Sequence, residues 1–199
     1  TAFRATSDLH LALTSFQSRW PGGCNQPDMW WRLQVSSGDA VNEIPLGRWS
    51  SCEPDTSQQV KNVPSCTYDG GFITGVCAFS CSTFHISPAE TAAMDPQQRL
   101  LLEISYSTLH DSSLRRAILV SSDKGVLLGI EQPDWMLVQP PSARSSVFAA
   151  TCCNVSVAAG RISFTLGLHG PCFSIDAACA SSLVAVHGAS RAVLARECE

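Results

Sequence analysis

Cys179 is the residue best placed to do chemistry. It lies in Ala177-Ala178-Cys179-Ala180-Ser181-Ser182, a run of small side chains between the alternating stretch Cys172-Phe173-Ser174-Ile175-Asp176 and the helix formers of Leu183–Leu194. Alternation followed by apolar residues at helical spacing predicts a strand that feeds a tight turn that feeds a helix. A thiol in that turn suits nucleophilic acyl transfer on two grounds. Small neighbours let the backbone turn sharply and let a carbonyl approach. The unsatisfied N–H groups at the helix start favour a thiolate and can hold an oxyanion. A helix terminus is worth only about 0.3–1 kcal/mol to an exposed charge, so the thiolate also needs a basic partner.

No other residue has comparable support. His187 follows Cys179 by eight residues, about two helical turns, and reads as a packed or surface side chain and not as its base. His169, beside Gly170-Pro171, reads as a loop residue, and His10, His85 and His110 have no motif around them. The other nine cysteines read as small buried hydrophobes or surface thiols. Their spacings include Cys77-x-x-x-Cys81 and the pair Cys152-Cys153 but no Cys-x-x-Cys, so no metal site is expected. Ten cysteines in 199 residues is well below the density of a disulfide scaffold, which points to a reducing, cytoplasmic compartment.

The elements that must position Cys179 can be read upstream. Arg19-Trp20-Pro21-Gly22-Gly23 predicts a turn, and Asp28–Leu33, opened by Pro27 and Asp28, a helix in which Trp30 and Trp31 serve as core and loop cover. Ser50–Ser65 reads as a surface loop and Asp69-Gly70-Gly71 as a turn. Ser87-Pro88-Ala89-Glu90 has the form of a capping box and opens a short helix. Asp95-Pro96-Gln97-Gln98 opens a longer one that runs to about Asp111, its charges fixing the helix against its loop. Ala117–Val120 and Gly125–Ile130 read as buried strands, and Gln132–Ser146 as a loop. Asn154–Leu166 reads as a helix whose small face, Ala158-Ala159-Gly160, lies close to another backbone, closed by Gly167 and Gly170-Pro171.

Composition bounds the rest. With 45% apolar and 15% charged residues, the chain must bury a real core, and it is neither a disordered tail nor a small stapled scaffold. A net charge of −4 without a run of one sign argues against nucleic-acid or anionic-membrane partners. No apolar run of membrane-spanning length and no secretory leader is visible. The start at Thr1 suggests a piece of something longer.

Several blocks, in order, resemble one family. They are Arg19-Trp20-Pro21-Gly22-Gly23, Val41-Asn42-Glu43-Ile44-Pro45 through Arg48-Trp49, Gly70-Gly71-Phe72, Ile86–Glu90, Met94–Glu103, Gly125–Ile130, Ala158–Gly167 and, above all, Asp176–His187. Together they resemble the β-ketoacyl synthases, specifically the ketosynthase domains of modular and iterative polyketide synthases. The likeness runs over nearly the whole chain.

The resemblance implies a thiolase-like α/β fold, layered α/β/α/β/α and built from two related halves. Residues 1–199 would be the amino-terminal half, ending just after the helix that carries the nucleophile. It implies a decarboxylative Claisen condensation, with Cys179 as the acyl acceptor and its own backbone N–H as one oxyanion donor. No cofactor would be bound directly, because substrates arrive on the phosphopantetheine arm of an acyl carrier protein. The implied partners are that carrier protein, an acyltransferase, other synthase domains and, in the complete protein, a second copy of the domain.

Some features depart from the family pattern. Its two catalytic histidines lie well downstream of the cysteine, beyond the 20 residues that follow Cys179, so the 199 residues alone are expected to be inactive. Ala178 and Ala180 stand where the family usually has Thr or Ala and Ser, His85 where a Gly commonly precedes Ile-Ser-Pro, and Leu9–Phe16 makes a weak first strand. A non-catalytic fragment serving docking or dimerisation, and a simpler acyl-transferring enzyme of the same fold, are the alternatives. Half of a two-lobed domain is also expected to be only marginally stable, since an interrupted parallel sheet exposes apolar surface.

Overall fold

The computed structural model describes residues 11–45, 69–132, 134–139, 147–152 and 154–199. Contacts divide the chain into two units: Phe16–Val76, and residues 11–15 with Cys77–Glu199.

In the smaller unit, Pro27 in the first turn and Asp28 open α1 (Pro27–Val35), as expected. Gly22 and Gly23 take φ of +72° and +74° and make the turn before it. Strand β1 (Val41–Glu43) pairs antiparallel with β2 (Asp69–Gly71), Val41 opposite Gly71 and Glu43 opposite Asp69. Asp69-Gly70-Gly71 is thus a strand and not the expected turn. A Cβ on Gly71 would stand 2.9 Å from Pro21 Cγ, so glycine is needed there for close approach. Trp30 and Trp31 also differ from expectation. Neither is buried, and Trp20, Trp30 and Trp31 form a tilted ladder with centroids 6.1 and 6.4 Å apart. The segment Ser50–Ser65, Arg48-Trp49 and His10 lie outside the described residues.

The larger unit begins without regular secondary structure over residues 11–15. Helix α2 (Pro88–Ala93) is capped by Ser87 Oγ, which accepts the Glu90 N–H at 3.1 Å, and α3 (Pro96–Asp111) by Asp95 Oδ1, which accepts that of Gln97 at 2.7 Å. The apolar run after them forms a helical turn, α4 (Arg116–Leu119), where a strand was expected. Only Leu119 of that run is buried, while Ile118 and Val120 point to solvent. The Arg116 guanidinium fixes the turn by donating to Thr83 O and Thr165 O.

Strand β3 (Val126–Gly129) follows as expected. Among the described residues of the predicted loop after it, Trp135–Val138 form a helical turn, α5, tied down by Trp135 Nε1 donating to Ala93 O at 3.0 Å. Further along the described residues are α6 (Ala149–Cys152) and α7 (Val155–Leu166). Asn154 Oδ1 caps α7, and Gly167 at φ +74° ends it. Strand β4 (Cys172–Ile175) pairs parallel with β3, Val126 opposite Cys172 and Gly129 opposite Ile175. A 3₁₀ turn (Ala178–Ala180) then leads into α8 (Ser181–Leu194).

The two parallel strands are sandwiched between helices. Val126 and Leu128 face the core that contains Ile162 and Leu166 of α7, and Ser174 Oγ accepts the Ala159 N–H of that helix at 3.2 Å. On the other face, Gly188 of α8 lies against Leu127, and Gly129 against the start of α8. Behind α7 the core continues through Met94, Leu102, Leu119 and Cys152, each fully buried.

Candidate active site

Cys179 sits in the middle of the 3₁₀ turn between β4 and α8, and it is exposed. The strand-turn-helix order is the one its sequence predicts. The residue before it, Ala178, takes φ +51°, a left-handed conformation that costs a side-chain-bearing residue about 1–2 kcal/mol. Hydrogen bonds hold it there. Asp176 Oδ1 accepts the Ala178 N–H at 3.1 Å, and Ser181 Oγ donates to Ala178 O at 2.7 Å while accepting the Ala177 N–H at 2.8 Å. Ser181 itself is buried at the first turn of α8. Among the described residues the Cys179 N–H enters no hydrogen bond, so it is available to a ligand oxygen.

Strand β3 props this turn from below. A Cβ on Gly129 would stand 2.7 Å from both Ser181 C and Ser182 N, so the strand ends hard against the first turn of α8. Gly188, one face further along, leaves room only for Leu127 Cδ2. Ala185 and Ala192 continue that small buried face. Leu183, Val184 and Val186 are exposed.

A second polar cluster lies inside the larger unit. The buried Arg161 guanidinium bonds Glu90 Oε1 and Gln98 Oε1, each at 2.6 Å, and Thr151 O at 3.2 Å, and reaches Cys152 Sγ at 3.7 Å. It ties α2, α3, α6 and α7 together, and an ionised group at this depth requires such pairing. Glu90 therefore serves Arg161 as well as the first turn of α2. A charged residue inside the apolar run Ala158-Ala159-Gly160-Arg161-Ile162 was the signal that could have exposed this cluster from sequence. Neither it nor the roles of Asp176 and Ser181 was anticipated. The Ala158-Ala159 face is buried, packed against the sheet as its size suggested.

Asp95 is buried at the start of α3. Burial pushes its carboxyl above the usual aspartate range; the Gln97 N–H pulls it back, Asp134 pushes it further up, and Arg99 pulls it down. Arg99 in turn lies over the Trp135 ring, 5.8 Å from the centroid.

None of the described histidines faces Cys179 as a partner within hydrogen-bond reach. His187 is exposed on α8, and His169 is exposed, with its N–H on Ser122 O. His110 contacts Arg115 and packs near Tyr106. His85 is exposed at φ +55°. Seven of the cysteines are described, Cys24 and Cys152 buried and Cys77 and Cys179 exposed. No group of metal-ligating side chains occurs among the described residues, and none of their helices is long and apolar enough to cross a membrane.

Comparison with known proteins bears on the family of the chain. A family model described as Beta-ketoacyl synthase, N-terminal domain, matches residues 10–199. The spectinabilin polyketide synthase system protein NorC of Streptomyces orinoci is 35% identical over 94% of the chain, and the polyketide synthase GfsE of Streptomyces halstedii is 36% identical over 96%. The chain spans 8% and 5% of those two proteins. Among solved structures, a ketosynthase from module 6 of the bacillaene synthase of Bacillus subtilis 168 superposes with a TM-score of 0.74 at 29% identity, over 93% of this chain and 29% of that one. An oxazolomycin ketosynthase domain from Streptomyces albus JA3453 gives 0.76 at 29% identity, over 94% and 33%.

Proposed function

Since the chain belongs to the β-ketoacyl synthase family and has its thiolase-like fold, we propose that it is the acyl-accepting part of a polyketide synthase ketosynthase domain, with Cys179 as the nucleophile. The observation that carries the reading is the exposed thiol in a strained turn at the mouth of α8, with its own N–H available. In the first stage the Cys179 sulfur attacks the thioester carbonyl of an acyl group on the phosphopantetheine arm of a carrier protein. The carbonyl oxygen takes the electron pair and is held by the Cys179 N–H. Collapse then expels the phosphopantetheine thiolate, which takes a proton, and leaves an acyl-cysteine.

In the second stage a malonyl-type thioester loses carbon dioxide, and the resulting carbanion attacks the acyl-cysteine carbonyl. A carbon–carbon bond forms and the Cys179 thiolate leaves. Decarboxylation needs groups that stabilise the carbanion. The exposed, outward placement of His169 and His187 does not suit them to that step, in keeping with the expectation that the 199 residues alone are inactive. The partners on this reading are an acyl carrier protein, the acyltransferase and other domains of a synthase, and a second copy of the complete domain, in the cytoplasm.

In the full-length protein, Cys179→Ala is expected to abolish acyl loading from an acyl carrier protein, read by intact-protein mass spectrometry. Loading that persists in the variant would remove Cys179 from its role.

A further inference from the structure

We infer that Ser181 and Asp176 are positioning residues for the acyl-transfer step: together they lock Ala178 in its left-handed conformation and so aim the Cys179 N–H at the oxygen that becomes negative. This rests on the acyl-transfer reading of Cys179.

The geometry is specific. Ala178 is the residue immediately before the nucleophile, and its φ of +51° is one that only glycine adopts freely. An alanine there must be restrained from both sides of its peptide units. The Asp176 carboxylate takes the Ala178 N–H, and the single Ser181 hydroxyl spans the turn, accepting from Ala177 N–H and donating to Ala178 O. The Ala178 carbonyl belongs to the same peptide plane as the Cys179 N–H, so a bond that fixes the carbonyl fixes the direction of that N–H. Ser181 is buried and wedged against the end of β3 near Gly129, so its own position is not free to drift. The clamp therefore fixes the oxyanion donor before substrate arrives, which is where preorganisation has its effect.

The clamp should matter for attack on a carbonyl and not for reactions of the same sulfur that develop no oxyanion. Acylation by a small acyl N-acetylcysteamine thioester forms the Cys179–carbonyl bond through a tetrahedral oxyanion and expels N-acetylcysteamine, which takes the proton. Alkylation by iodoacetamide displaces iodide at a saturated carbon and develops none. Both rates are read at Cys179 by peptide mass spectrometry on the full-length protein, with exposed Cys77 as the internal reference.

Ser181→Ala and Asp176→Ala are expected to slow acylation by roughly tenfold to a hundredfold, while alkylation stays within about twofold. Asp176→Asn keeps an oxygen acceptor and is expected to acylate near the wild-type rate. It carries the same charge as Asp176→Ala, so the difference between the two reads the hydrogen bond alone. Asp176 is exposed, so its variants fold even if Ser181→Ala does not. Equal acylation of wild type and Asp176→Ala would overturn the inference alone, as would a parallel loss of acylation and alkylation. A wild-type protein whose Cys179 takes no acyl group from the thioester would overturn the acyl-transfer reading and this inference with it.

Discussion

Asp95 shows how one side chain can serve structure at a cost that depends on pH. Its Oδ1 caps α3 while the residue is almost wholly out of water. Burial raises its carboxyl above the usual range. The folded chain therefore holds the proton more tightly than the unfolded one, and stability falls as pH rises from the ordinary aspartate range through the folded-state value. Asparagine caps a helix as well as aspartate but has no charge to bury. Asp95→Asn is expected to be more stable than wild type above that window and indistinguishable below it, in denaturant melts between about pH 3 and pH 8. A pH-independent difference would contradict this account. The same residue illustrates what sequence can tell at this scale. The cap was legible from Asp95-Pro96, because capping is a local matter; its burial was not, because that depends on chain distant in sequence. His85 is a similar case. Its backbone takes φ +55°, which explains physically why a glycine would be at ease there.

At the scale of elements, the candidate site depends on how closely α8 can lie on the sheet, and two glycines set that distance. A Cβ on Gly129 would meet backbone atoms of Ser181 and Ser182 at 2.7 Å, which cannot give way without moving the first turn of α8. On Gly188 it would meet Leu127 Cδ2 at 2.8 Å, the far end of a flexible side chain. Gly129→Ala is accordingly expected to cost about 1–3 kcal/mol and to slow acylation of Cys179, whereas Gly188→Ala costs less than about 1 kcal/mol and leaves acylation near wild type. Thermal melts and thioester labelling of the two variants check the contrast, and equal effects would mean that the β3 contact does not position the turn. Helices α2, α3, α7 and α8 and strands β3 and β4 were legible because caps and periodicity are written locally. The misread elements were those whose identity comes from a partner. Asp69–Gly71 is a strand only because Val41–Glu43 lies beside it, and Arg116–Leu119 is helical because its guanidinium finds carbonyls at Thr83 and Thr165.

At the scale of the whole chain, α8 is apolar on more than the side it buries. Ser181, Ala185 and Ala192 are buried toward the sheet, while Leu183 is 74% and Val186 63% exposed. Phe173, on the same face of the sheet as Leu127, is 55% exposed, and Phe164 of α7 is 89% exposed. A helix apolar on more than one side is the kind that belongs between two layers, and covering each of these large side chains would be worth about 1.5–3 kcal/mol. The chain spans about a third or less of the ketosynthase structures it resembles, so material to cover these faces exists in such domains. The isolated 199 residues are therefore expected to bind an apolar dye such as ANS and to melt broadly. In that isolated chain, Leu183→Glu with Val186→Lys should reduce dye binding at little cost in stability. The same pair in the full-length protein should lower the melting temperature, because there it would place two charges in a covered layer. A sharp, cooperative melt of the isolated chain without dye binding would show that these faces need no cover, and with it the expectation of marginal stability would fall.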